Sequence, residues 1–170
     1  MGAGYHGGFG KTKGNIQHET KQGKNNEKFE KQDILIDENL IAEMTRDNIK
    51  FTKENLIFVT KDISGQILFL ETGNEQVGLK HIEQRHAKDL VDKHKIQASQ
   101  ISTHIYLVFT YGVLEYSRIT NKKDNESFER LYRYKGEYYL LSGVGTNGFV
   151  VSAYPLDNKT AQKHIRRYKK

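Results

Sequence analysis

The chain of 170 residues contains no cysteine, which excludes disulfides, thiolate metal sites and a cysteine nucleophile, so packing alone must hold it together. It also lacks any apolar run near the ~20 residues of a membrane span, and its start carries no hydrophobic signal region. If the protein leaves its cell, another segment or a partner is expected to carry it. Acidic residues are the minority, 21 against 27 Lys and Arg, for a net charge of +6 and a pI near 9.3. An excess of this size favours encounter with polyanions such as nucleic acid or anionic lipid, and says nothing about fold.

The length suits one domain with a real core. Residues 1–32 hold seven of the 15 glycines, many lysines and asparagines, and no hydrophobic period. They are expected to be a flexible Gly/Lys-rich linker or arm, with the domain proper over 33–170. Gly10-Lys11-Thr12 is not a phosphate-binding loop, because Tyr5 stands where the first glycine is needed and no strand precedes it.

The chemistry concentrates between Gly78 and Lys93. Leu79, Ile82, His86 and Leu90 recur at steps of three and four, as one helical face should. His81 and Arg85, four apart, sit together beside that face, with Lys80 as a neighbour. A histidine on an apolar stripe, such as His86, is more often a hydrogen-bonded core residue than a catalyst. His81, on the polar edge, carries the stronger functional reading. His81-Ile-Glu-Gln-Arg-His86 lacks the zinc-protease spacing, and no catalytic metal or small-molecule cofactor is expected.

Around this helix, Asp33 to about Asn48 predicts a helix with Asp37 as a possible N-cap. Asn55–Thr60 and Gln66–Glu71 predict two short strands. Ile101 to Val113 is favoured as a helix capped by Ser102 or Thr103, with a strand as its rival. Leu114–Thr120, Phe128–Tyr134, Glu137–Val144 and Gly148–Tyr154 predict an antiparallel meander, followed by a basic helix capped at Asp157 or Asn158. The fold class is therefore α+β, N-terminal helices followed by an antiparallel β-meander.

Gly143-Val-Gly-Thr-Asn-Gly148 matches the dinucleotide fingerprint by letter but leads into a strand, so a glycine turn between strands is expected. Alternation along that strand predicts Phe149, Val151 and Ala153 toward the core, and Thr146, Val150, Ser152 and Tyr154 on the other face. Hydroxyls on a wet sheet face are ordinary. Their pairing with a His/Arg/Lys helix is not.

That pairing, Gly-Leu-Lys80-His81-Ile-Glu-Gln-Arg85-His86 with Gly-Phe-Val-Val-Ser152-Ala-Tyr154-Pro155, resembles the nuclease toxins related to barnase, EndoU, the tRNA-cutting colicins and RelE, in their phage and polymorphic-toxin branch. The resemblance covers roughly Gln66 to Pro155. It implies a metal-independent endoribonuclease acting on RNA, tRNA included, by 2′-hydroxyl attack to leave a 2′,3′-cyclic phosphate. It further implies the C-terminal module of a delivered antibacterial effector, acting in the target-cell cytoplasm and restrained by a cognate immunity protein. His81 or His86 would move protons, and Lys80 and Arg85 would neutralise phosphoryl charge. Ser152, Thr146 and Tyr154 would orient groups by hydrogen bonds. Arg118, Arg166 and Arg167, among many tyrosines, are the candidate RNA contacts. The alternatives are a non-catalytic RNA-binding module and a nucleotide-dependent transferase built on the Gly143–Gly148 turn.

Overall fold

The computed structural model describes residues 35–122, 125–144 and 146–170. The expected arm over 1–32 lies outside the described residues. Helix α1 (Glu38–Arg46) begins where the Asp37 side chain accepts from the Asn39 amide at 2.8 Å. Its Ile41 and Met44 pack on Val59, Ile67 and Phe69 of an antiparallel hairpin, β1 (Leu56–Lys61) and β2 (Ile67–Glu71).

Helix α2 (Gly78–Lys88) continues into a π-helical turn, Asp89–Lys93. Gly78 is obligatory at its start: its φ is +79°, and a Cβ there would stand 2.7 Å from the Glu71 carbonyl oxygen. Helix α3 (Ile101–Tyr111) settles the rivalry with a strand. Its cap is Gln100, with no side-chain hydrogen bond, and not Ser102 or Thr103. The reason is that a 3₁₀ turn over Ala98–Gln100 feeds directly into the helix, so those two residues already lie inside it.

The meander follows as β3 (Val113–Lys122), β4 (Asn125–Tyr134), β5 (Glu137–Val144) and β6 (Val150–Leu156), in that spatial order and antiparallel throughout. Helix α4 (Asn158–Tyr168) closes the chain, capped by Asp157, whose side chain accepts from the Thr160 amide at 2.9 Å. Among the described residues the fold is α+β.

The sheet is packed on both faces. On one, Tyr132, Tyr139, Leu141, Val150 and Ala153 meet Ile82 and Leu90 beneath α2, Ile105 and Phe109 of α3, and Leu68 and Leu70 of the hairpin. Each fully buried aliphatic or Phe side chain contributes ~1.5–3 kcal/mol. On the other face α4 covers Tyr116, Leu131, Tyr138 and Leu140 with Ala161 and Ile165. It covers only the end of the sheet holding those residues.

The expected alternation of β6 needs correction at one point. The register of β5 and β6 shifts between Ser142 and Gly143, pairing Ser142 with Ser152 and Gly143 with Val150, so Val151 is an extra residue. This bulge puts Val150, fully buried, in the same core as Ala153, while Val151 lines a cleft with Glu129 and Ser142. Gly148, with φ +87°, lets this segment touch the hairpin: Phe69 donates its amide to the Gly148 carbonyl at 3.1 Å, and a Cβ on Gly148 would lie 1.9 Å from the Ile67 carbonyl oxygen.

The hairpin turn is fastened to the sheet by a buried carboxylate. Asp62 has no exposed side-chain surface. Its Oδ1 accepts from the Ser64 amide and hydroxyl and the Gln66 amide, and its Oδ2 from Arg130 and from the Tyr132 hydroxyl at 2.7 Å. Burial works against its charge, but the hydrogen bonds from Ser64 and Tyr132, the Arg130 guanidinium and the Gln66 amide outweigh it and hold the carboxyl below its ordinary range.

Candidate functional site

Helix α2 lies against the free edge of the sheet at β6, and this contact assembles the site. His86 Nε2 stands 3.2 Å from Ser152 Oγ, and its ring stacks on Tyr154 with centroids 4.7 Å apart. His81, on the next part of the same helix, presents its ring edge-on to His86 at 6.0 Å. His81 Nδ1 is 2.9 Å from the Glu75 carbonyl oxygen, and a carbonyl only accepts, so Nδ1 carries a proton. That bond leaves Nε2 as the nitrogen available to a ligand.

His86 is held neutral. Burial first, then the neighbouring His81 and Arg85, push its pKa below the ordinary 6.5, against the opposing pull of Asp89. A neutral imidazole can accept a proton, and protonating one ring of the pair discourages the other. Lys80 and Arg85 are exposed beside the two rings and form no ion pair among the described residues.

Ser152 is one end of a row. Cross-strand partners share a face, and the register runs Arg118 opposite Glu129, Glu129 opposite Ser142, and Ser142 opposite Ser152. A polar line therefore crosses the sheet from Arg118, which stands over Tyr168 of α4, past Glu129, whose Oε1 is 4.0 Å from His164 of α4, and ends at His86. Glu129 Oε1 accepts from Arg118 Nε at 2.8 Å and from the Tyr116 hydroxyl at 2.7 Å. Burial opposes the Glu129 charge, yet the bonds from Arg118 and Tyr116 keep the carboxyl below its ordinary range. Its Oε2 has no hydrogen-bond partner among the described residues. A cleft of about 220 Å³ opens there, lined by Arg118, Thr120, Ser127, Glu129 and Ser142.

The expected residues thus divide. His81, His86, Ser152 and Tyr154 come together, with Lys80 and Arg85 at the rim. Thr146 does not: it is exposed and lines a different cleft with Gln66, Ser117 and Arg130, because it sits in the loop before the bulge, where strand alternation no longer applies. Arg118 and Arg167 both stand over the Tyr168 ring, at 4.0 and 5.2 Å, and line a cationic groove with Lys169 and Lys170. Arg166 donates to the Gln162 carbonyl at 3.3 Å on its own helix. Among the described residues no three His, Cys, Asp or Glu side chains converge as metal ligands.

Glu129 and Ser142 were not singled out from sequence. Alternating polar residues at Ser127 and Glu129 mark one face of β4, but which residues stand opposite them depends on a register that two bulges shift.

A second histidine pair sits elsewhere. His104 and His94 flank Tyr139 with centroids at 5.2 and 5.8 Å. His104 Nε2 is buried and has no hydrogen-bond partner. Burial, with His94 and Lys135 adding to it, pushes the His104 pKa down to about 4.

No family model matches this chain, and no curated protein matches it either.

Proposed function

We propose that the chain is a metal-independent endoribonuclease in which His81 and His86 exchange protons with RNA. The observation that carries this reading is the pair itself: two imidazoles 6.0 Å apart on one helix, one neutral and backed by Ser152 and Tyr154, with two cations at the rim that form no ion pair among the described residues. His86 takes the 2′-hydroxyl proton, the 2′-oxygen attacks the adjacent phosphorus, and the 5′-oxygen leaves with a proton from His81. The product strand ends in a 2′,3′-cyclic phosphate. Lys80 and Arg85 neutralise charge that builds on the phosphoryl oxygens. Proton transfer of this kind contributes ~10²–10⁴-fold.

The Ser152–His86 bond also has the form of a nucleophile and its base. Ser152, however, is only 6% exposed and lies within a strand, so attack on an incoming ester would need the strand to open. It is a positioning residue in this reading. The proposal extends to biology: a toxin module of a delivered effector, with an acidic immunity protein covering the basic rim, since complementary charge speeds association and blocks substrate.

The test is end-group analysis of total RNA and purified tRNA after incubation with the wild-type chain and with His81→Ala, with and without EDTA. Cleavage that survives EDTA, leaves cyclic phosphate and disappears in the variant is the expected result. Loss in EDTA overturns the metal-independent chemistry. Binding of RNA without any product would favour a non-catalytic RNA-binding module.

A further inference from the structure

The cleft beside Glu129 offers a reader for the base that belongs to the reacting phosphate, and this rests on the nuclease reading above. Glu129 and Ser152 lie on strands separated by β5, two strand spacings apart, or ~10 Å. That is about the reach of one nucleotide from its phosphate to the pairing edge of its base. The cleft at the Glu129 end of this row is lined by the hydroxyl-bearing Thr120, Ser127 and Ser142 together with Phe128 and Val151, so a planar base entering it meets both apolar surface and polar partners. Arg118 and Tyr116 both donate to Glu129 Oε1, which fixes the carboxylate and leaves Oε2 without a partner among the described residues, on a side chain that lines the cleft. A fixed carboxylate oxygen accepts hydrogen bonds and donates none.

We propose that Glu129 is the specificity determinant of this site, accepting a hydrogen bond from the exocyclic amino group of adenine, cytosine or guanine and rejecting uracil. Uracil turns two carbonyl oxygens with one N–H between them toward such a group, and the carbonyls repel it. The three amino-bearing bases each bring a donor to Oε2, with the Ser142 hydroxyl beside it to donate or accept as the base requires. Selectivity arises mainly from the mispaired case, where a half-buried charged acceptor is left facing another acceptor.

Replacing Glu129 by Gln sharpens the claim. Arg118 and Tyr116 still need an acceptor, so the amide oxygen stays with them and the NH₂ group points into the cleft as a donor. The preference is then expected to reverse toward uracil.

The experiment measures binding apart from cleavage, using 2′-O-methyl tetranucleotides that lack the attacking hydroxyl and vary at one position among A, C, G and U in a uridine background. Calorimetry or anisotropy on the full chain should show the amino-bearing strands bound about tenfold tighter than the all-uridine strand. Glu129→Gln should abolish or invert that ratio while remaining folded by thermal melting. Equal binding of all four strands by the wild type, or an unchanged ratio in a folded Glu129→Gln, overturns the proposal. Should Glu129→Gln fail to fold, Ser142→Val fills the cleft without touching the Glu129 hydrogen bonds. It should weaken the amino-bearing strands several-fold, and unaltered binding would overturn the assignment. A second arm uses the unmethylated strands. Selective binding with no cleavage removes the nuclease reading and leaves the base reader standing, whereas cleavage without selectivity does the reverse.

Discussion

The molecule contains two pairs of histidines beside tyrosines, and they differ in what surrounds the second ring nitrogen. His86 stacks on Tyr154, has Ser152 within 3.2 Å of Nε2, and adjoins exposed Lys80 and Arg85. His104 packs on Tyr139 and Tyr134, yet its Nε2 is buried with no partner. Both imidazoles are held neutral by burial. A lowered pKa alone therefore does not separate the two sites. Partners distinguish them, since both residues are half-buried: one ring has Ser152 at its Nε2 and ends a polar line that crosses the sheet, while the other has a buried Nε2 with no partner.

The largest expected contrast is in turnover. His86→Ala should lower RNA cleavage ~10²–10⁴-fold, whereas His104→Phe should leave it within about twofold, both read from initial rates on one tRNA substrate. Equal losses in the two variants would erase the distinction.

Acid sensitivity comes next. An imidazole that titrates near 6.5 unfolded and about 4 folded binds its proton preferentially in the unfolded chain between those values. Stability should therefore fall as pH drops through that window, by at most about 1.4 kcal/mol per pH unit from His104. His86, shifted in the same direction, adds to the loss below 6.5. In His104→Phe the acid limb of a denaturation series should become shallower; an unchanged slope would show that His104 titrates normally.

Smaller effects separate positioning from packing. If the serine orients His86 without binding substrate, as proposed, Ser152→Ala should reduce kcat about tenfold with KM within about twofold. A rise in KM alone would place it in the binding surface instead. At neutral pH, His104→Phe should raise stability by ~1 kcal/mol in urea unfolding, since it removes a buried donor or acceptor that has no partner.

Much of this comparison was legible in the sequence, for definite reasons. Helical spacing put His81 beside Arg85 and set His86 on the apolar stripe, and alternation along β6 placed Ser152 and Tyr154 on one face. Those local periodicities survive folding. What did not survive was the extrapolation across irregular backbone, so Thr146 and Val150 fell on the wrong sides of a bulge. Arg118 was legible as charge but not as a partner of Glu129, since the pairing is set by the register of the β3–β4 hairpin, which a bulge at Leu114/Tyr116 shifts. Asp62 falls between the two strands predicted over Asn55–Thr60 and Gln66–Glu71. Nothing near it in sequence discloses Arg130 and Tyr132.

The Asp62 joint has a kinetic consequence. Asp62 and Arg130 stand 68 residues apart, whereas the strands of the meander pair with their immediate successors in the chain. Closing so long a loop before its contacts form is entropically costly, so the fastening is expected to follow the rate-limiting step of folding. Asp62→Asn should then speed unfolding markedly while refolding keeps nearly its wild-type rate, visible as a shift of one chevron arm only. The hairpin would be the last piece to arrive and the first to leave, making a single buried carboxylate the clock for how long the folded domain persists.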